Sequence, residues 1–157
     1  MTTTELRETL SPGEPAPDFA LPAIDGSGTV SLADYRGRSS LFLALFVGLW
    51  CPFCRRAIAQ VGTTEPALKA SGVDTLGIVA TPPENARLYF KFRPSRLRLA
   101  ADPELITHRA FGVPKPAPTD SPARGPYRDA CAAVTLVPHR GRQPTRQSGI
   151  NADASCD

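Results

Sequence analysis

The sequence predicts an α/β layered domain within one chain of 157 residues. Three observations carry this. Short apolar and β-branched runs alternate with stretches of helical spacing, in the order strand, helix, strand, helix, strand, helix, strand. The run from Leu41 to Trp50, within "SLFLALFVGLW", is apolar throughout, as a central strand buried on both faces requires. Hydrophobic residues make up 41% of the chain, enough for a core on both sides of a sheet.

The elements follow in order. Residues 1–14 lack periodicity and are expected to form a flexible arm. Residues 15–142 form the domain, and 143–157 read as a C-terminal tail. Seventeen prolines cluster at the N-terminus and after residue 111, so those regions are not expected to be regular throughout. "DFALPAI" and "TVSLADY" read as short strands around the turn "DGSG", the second passing into a one-turn helix. After the apolar strand, Pro52 suits a first helical turn, where its missing N–H costs nothing. Phe53, Ala57, Ile58 and Val61 repeat at helical spacing, while Arg55, Arg56 and Gln60 face outward. Gly62 and Pro66 predict a break before "EPALKASG" resumes the helix. Glu65 is expected to cap the resumed segment and Gly72 to end it. "VDTLGIVAT" is a strand, "PPENARLYFKFRP" a helix and "LRLAAD" a short strand. "PELITHRAFGV" is a helix capped by Asp102, "PKPAPTDSPARGPYRD" a loop, and "CAAVTLVPHRGR" the last strand and turn.

The net charge of +3 is mild. Its positive excess lies in the second half, with Arg93, Arg96, Arg98, Arg124, Arg128, Arg140, Arg142 and Arg146. Such a surface suits an acidic partner, although a solvated basic face is the simpler reading. No basic motif interleaved with aromatics points to nucleic acid. The opening "MTTTELRETLSPGEPAP" lacks the apolar core of a signal peptide, and no run spans a bilayer. A soluble, cytoplasmic protein without a membrane partner is expected. In a reducing compartment its four cysteines are not a disulfide framework.

The chemistry concentrates in Trp50-Cys51-Pro52-Phe53-Cys54-Arg55-Arg56. Here a strand ends and a helix begins. The unpaired N–H groups of a first helical turn favour an anion. Paired cysteines in such positions reach a pKa of about 7 or lower. Arg55 and Arg56 add positive charge on the same turn. Cys54 lies almost one turn below Cys51, so the sulfurs can meet. Cys51 is then the exposed attacking thiol and Cys54 the buried partner that resolves a mixed disulfide. Trp50 covers one side, and Pro52 restricts the backbone between the sulfurs.

Other readings stand beside this one. The pair could be two core cysteines by coincidence, or a site that keeps its sulfurs without a redox partner. A zinc site needs further ligands, which only the isolated Cys131 and Cys156 could supply. Cys131 reads as a core residue, and Cys156 as an incidental surface thiol. His108 and His139 read as surface residues. Asp74 reads as an ordinary strand-edge acid, or else as a buried acid near the cysteines.

The stretch "GEPAPDFALPAIDGSGTVSLADYRGRSSLFLALFVGLWCPFCRR" resembles the opening layout of the AhpC/TSA (peroxiredoxin-like) redoxins. "LAADPELITHRAFGV" resembles their later Asp-to-Gly-Val segment. The resemblance covers roughly residues 13–113. It implies a thioredoxin-like fold, a central mixed sheet flanked by helices, with an altered or shortened C-terminal part. It also implies an antioxidant-type thiol oxidoreductase that needs no cofactor. Electrons would come from a protein or small-molecule thiol, and the substrate would be a peroxide or a protein disulfide. Matching residue by residue gives Cys51 the attacking role and Cys54 the resolving one.

Two departures matter. The family's peroxidases carry proline seven residues and threonine or serine three residues before the active cysteine. Ala44 and Gly48 stand there instead. Thioredoxin-like proteins also place a cis-proline opposite the pair. Pro118 before Thr119 has that local sequence, but no strand follows it. Arg128 is not assigned to the peroxidases' arginine. The unusual C-terminal part leaves a sheet edge or core face open to association, a homodimer among the outcomes. The rival from another class is a non-enzymatic binding module on the same fold.

Overall fold

The computed structural model describes residues 10–113 and a strand backbone at 133–137. The expectations for Pro118, Thr119, Arg128, Cys131, His139 and Cys156, and for the 143–157 tail, lie outside the described residues.

Two short strands, β1 (Ala20–Pro22) and β2 (Thr29–Ser31), pair antiparallel as a hairpin. A single 3-10 turn, Leu32–Asp34, follows. The main sheet contains β3 (Ser40–Phe46), β4 (Val73–Val79), β5 (Leu99–Ala101) and β6 (Ala133–Val137), in the order β5-β4-β3-β6. β4 runs parallel to β3 and to β5, while β6 is antiparallel to β3. The sheet is therefore mixed. The hairpin joins its β5 edge through an Ala23–Ala100 bridge and an Ile24 N–H bond to Leu99 O at 2.9 Å. Three helices complete the described elements: α1 (Pro52–Ala70), α2 (Pro83–Phe92) and α3 (Ile106–Ala110).

β3 is buried on both faces because its apolar run has no polar alternation to expose. Successive strand side chains point to opposite faces. Leu41, Leu43 and Leu45 enter a cluster with Phe19, Val30 and Phe111. Ala44 and Phe46 enter a second cluster with Ile58 of α1 and Ala86 of α2. β4 repeats the division, with Leu76 and Ile78 on the first side and Val79 on the second. Leu10 and Ala16 pack against the first cluster, so the described part of the N-terminal arm touches the core.

Four local expectations need correction. α1 is continuous, with Pro66 inside it. Gly62 is buried where the chain enters β5, and a Cβ there would lie 3.3 Å from Leu97 N. Its role is close approach, and packing of the helix on the sheet overrides its weak helix propensity. Glu65 consequently lies inside the helix and caps nothing. The buried stripe of α1 is Cys54, Ile58 and Gly62, which turns Phe53 outward to half exposure. α3 is only five residues long, because Leu105 before it takes a left-handed conformation with φ 57°.

Gly77 gives the sharpest packing constraint on the sheet. A Cβ there would lie 2.6 Å from a Leu99 methyl and 3.0 Å from Phe46 and Leu97. Gly77→Val is expected to lower unfolding free energy by about 1–3 kcal/mol through overpacking. Urea denaturation followed by circular dichroism would show it as an earlier midpoint.

Candidate active site

β3 ends at Phe46, and residues 47–50 carry the chain to Cys51, the residue that caps α1. This short connection is tied to the end of β4. Ala80 N–H donates to Phe46 O at 3.0 Å, and Leu49 N–H donates to Thr81 Oγ1 at 3.1 Å. Cys51 N–H donates back to Gly48 O at 3.3 Å, closing the turn. Pro52 occupies the start of the helix, as its fixed φ allows.

The expected pair comes together. Both cysteines are free thiols, and the Cys51 thiol hydrogen-bonds with the Cys54 sulfur. Cys54 is fully buried. Burial pushes its thiol up to about 12, the Cys51 hydrogen bond and charge adding to the effect. The backbone N–H groups of Val47 and Gly48 act on the same thiol in the opposite sense, favouring its thiolate. Cys51 departs from expectation, being only 4% exposed. It lies in the apolar cluster with Phe46, Leu49 and Val79, so the protein packs around both sulfurs. The exposed residues beside it are Trp50 and Phe53, which form an apolar rim.

Gly48 explains the missing hydroxyl. Its φ is +150°, a conformation that side-chain-bearing residues rarely adopt. A Cβ there would collide with Trp50 Nε1, lie 2.7 Å from Trp50 Cδ1 and sit 3.4 Å from Ala80 O. Threonine or serine at 48 is therefore disfavoured by both the backbone and the Trp50 ring. The Trp50 ring lies over Gly48. Ala44 is fully buried in the middle of β3.

Arg55 is half-buried and lines a groove of about 450 Å³ between α1 and α2. Arg56, Arg93 and Arg96 line it too, beside Tyr89 and Phe90. Among the described residues the ion pairs are Arg36–Asp18 and His108–Asp102, so these four guanidinium groups have no ion pair there. Asp74 lies at the first turn of the sheet, not near the cysteines. It is the second residue of β4 and accepts a hydrogen bond from Ser39 Oγ, whereas the cysteines follow the other end of the parallel β3 strand.

His108 was expected at the surface and is 1% exposed. Its Nδ1 lies 2.9 Å from Asp102 Oδ2, and its Nε2 lies 3.1 Å from Phe46 O. Asp102 caps α3 as expected, by accepting from Ile106 N–H at 2.9 Å, Thr107 N–H at 2.9 Å and His108 N–H at 3.3 Å. Burial pushes the Asp102 carboxyl up, but the His108 ring, the His108 and Ile106 N–H groups and the His108 charge outweigh it. The carboxyl is held below its ordinary value and is ionised at neutral pH. A five-residue helix is too short to show a periodicity that would have turned His108 inward. Its place four residues before Gly112 and three before the buried Phe111 was the available signal. Among the described residues no group of three or more His, Cys, Asp or Glu could hold a metal ion, and no helix is long and apolar enough to cross a membrane.

Two measurements check this geometry. Cys54 in a Cys51→Ser variant should resist alkylation at pH 7 and react only as the pH approaches its high pKa or the protein unfolds. Thiol labelling read by mass spectrometry follows this directly. Asp102→Asn should cost about 3–5 kcal/mol at neutral pH by leaving His108 without its buried carboxylate. The Asp102 pKa is lower in the folded state, so its charge stabilises above the unfolded value of about 3.9. That contribution is lost as the pH falls further through the folded value. Chemical denaturation at stepped pH should therefore show the gap between wild type and Asp102→Asn narrowing below about pH 4.

Comparisons with known proteins agree with this architecture. The model of the AhpC/TSA family matches residues 12–138. A protein of Mycobacterium tuberculosis named as a candidate peroxiredoxin, from two strains, is 30% identical over 104 residues, 66% of this chain. The match spans 65% of that relative's own length. Among solved structures, a candidate thiol:disulfide interchange protein DsbE from Chlorobium tepidum is 30% identical, with a TM-score of 0.59 over 68% of this chain and 73% of its own. The reduced 2-Cys peroxiredoxin of Plasmodium vivax, 21% identical, shares the fold with a TM-score of 0.59 over 65% of this chain and 58% of its own. Its mixed sheet, its helices and this match over most of its length place the chain in the AhpC/TSA family, with a thioredoxin-like fold.

Proposed function

We propose that the chain is a thiol–disulfide oxidoreductase that cycles Cys51 and Cys54 between dithiol and disulfide. The observation that carries this reading is the contact between the two sulfurs at the start of α1. Cys51, at the helix cap, attacks a substrate disulfide as thiolate. One substrate sulfur bonds to Cys51 and the other leaves as a thiolate that takes up a proton. Cys54 then loses its proton and attacks Cys51 Sγ. The Cys51–Cys54 bond forms, and the second substrate sulfur leaves as thiol. The substrate gains two electrons and the pair loses two. An external thiol of a protein or small molecule returns them by the reverse exchange.

Gly48 supports disulfide exchange over peroxide reduction, because a hydroxyl at that position has no room. The Trp50–Phe53 rim suits an apolar segment flanking a substrate disulfide. The arginines of the α1–α2 groove, without an ion pair among the described residues, suit a partner bearing carboxylates. In a reducing cytoplasm the pair would rest as the dithiol.

A second reading, peroxide reduction by Cys51 alone, is favoured by the name of the Mycobacterium tuberculosis relative. Turnover with hydrogen peroxide, an organic hydroperoxide and a protein disulfide separates the two. Wild type should reduce the disulfide. Cys51→Ser should lose all turnover. Cys54→Ser should stall as a mixed disulfide on Cys51. Peroxide consumption by Cys54→Ser at the wild-type rate, with no disulfide reduction by either protein, would establish the second reading instead.

A further inference from the structure

The groove between α1 and α2 carries a concentration of charge that no step of the exchange uses. Arg55, Arg56, Arg93 and Arg96 line it, and no carboxylate does. A cavity of the same size, about 450 Å³, lies toward the opposite end of the sheet and has a different character. There Arg38, Lys69 and Arg98 stand with Asp34, Glu65 and Asp74. Arg96 lies between the two and lines both. The chain's net charge is +3, so the four guanidinium groups of the groove alone carry more positive charge than the whole chain does in net.

Backbone packing gathers these side chains. Gly62 is buried on α1, and a Cβ there would lie 3.3 Å from Leu97 N and 3.6 Å from Arg96 Cβ. Its lack of a side chain lets residues 94–97 close on the helix. Ser95 Oγ accepts from Leu97 N–H at 3.1 Å, which fixes their turn. Arg93 ends α2, its N–H donating to Tyr89 O at 3.1 Å. Arg55 and Arg56 come from the start of α1. Tyr89 and Phe90, edge to face with ring centres 5.0 Å apart, form an apolar wall. Charges beside such a wall are less screened than in open water, so the cations repel one another until an anion enters. A guanidinium takes a carboxylate through two parallel N–H bonds.

The groove leads away from the thiols. With a helical rise of 1.5 Å per residue, it runs from about 6 Å past Cys51, at Arg55, to about 18 Å past it, at Thr63. An extended chain covers about 3.3 Å per residue, so a substrate lying along α1 reaches these points about two and five residues from the sulfur that bonds to Cys51. We propose that the groove docks an acidic segment of the partner protein whose disulfide the pair reduces, with carboxylates about two to five residues from its reacting cysteine. This deepens the dithiol reading given above and rests on it. Trp50 and Phe53, exposed at the mouth of the site, take the residues flanking that cysteine. Nucleic acid fits the groove less well, because Tyr89 and Phe90 pack against the core cluster and do not stand free for bases to stack on.

The experiment uses the reduced full chain and short synthetic peptides, each with one cysteine in a disulfide with a coloured aromatic thiol. Colour release reads the rate of reduction. Two peptides carry glutamates at the second and fifth positions, one before the cysteine and one after it, and their counterparts carry glutamine. At low salt one glutamate peptide should react about tenfold faster than its counterpart. At 1 M salt, where the screening length is about 3 Å, the advantage should vanish. Arg93→Gln combined with Arg96→Gln should bring the ratio within about twofold of unity. Arg38→Gln combined with Lys69→Gln removes the same two charges at the other cavity and should leave the ratio intact. Equal rates for glutamate and glutamine peptides in wild type, or equal loss of the ratio in both double variants, would overturn the proposal. Failure to reduce any peptide would overturn the dithiol reading, and binding then reads the groove separately. A fluorescent glutamate peptide with serine for its cysteine should bind wild type and lose binding in the Arg93→Gln/Arg96→Gln variant. Equal anisotropy with both proteins would overturn docking, as would displacement of that peptide by a short oligonucleotide at lower concentration than by its own unlabelled form.

Discussion

One carbonyl at the end of β3 organises the site. Phe46 O receives an N–H from Ala80 at the end of β4 and a ring nitrogen from His108 in α3. β3 is the central strand, so its end is fixed in the sheet by β4 on one side and β6 on the other. The chain leaves that fixed point and within five residues reaches Cys51. The intervening amides of Val47 and Gly48 favour the Cys54 thiolate, and Leu49 N–H is held by Thr81. The sulfurs are therefore positioned from the sheet outward by backbone hydrogen bonds. Holding a buried carboxylate beneath the site has a cost, since it gives up its hydration. The six-residue spacing from Asp102 to His108 offsets much of it, because one carboxylate caps α3 and pairs the ring at once.

A shared fold does not fix the chemistry placed on it. The chain keeps the family's fold and holds Cys51 at the strand-to-helix corner. It departs at Gly48, where a positive φ and the Trp50 ring together occupy the space a peroxide-binding hydroxyl would need. The two features are coupled. Trp50 can lie over residue 48 because that residue has no side chain, and residue 48 can take its conformation for the same reason. One glycine thus leaves no room for a side chain between the Trp50 ring and the end of β4.

The larger pattern was legible because it depends on local repetition. The apolar run of β3, the helical start at Pro52 and the strand "VDTLGIV" each announce themselves within a few residues. The cysteine pair was legible for the same reason. What escaped depends on partners distant in sequence. Gly62 looks like a helix breaker until Leu97 is placed against it. Phe53 looks like core until the buried stripe is seen to run through Cys54 instead. His108 looks like surface because its neighbour Arg109 is charged, and its real partner, the Phe46 carbonyl, lies 62 residues away. The burial of Cys51 belongs to the same class, since it depends on how the elements close around the corner.

The central claim is that Cys51 and Cys54 act as one two-electron couple. Equilibrating the protein in thiol–disulfide buffers of stepped potential, followed by alkylation and mass spectrometry, tests it most directly. The account predicts that both thiols vanish together into a Cys51–Cys54 disulfide, with a slope of about 30 mV per tenfold change in ratio. Oxidation of Cys51 alone, with Cys54 still a free thiol across the whole range, would contradict it.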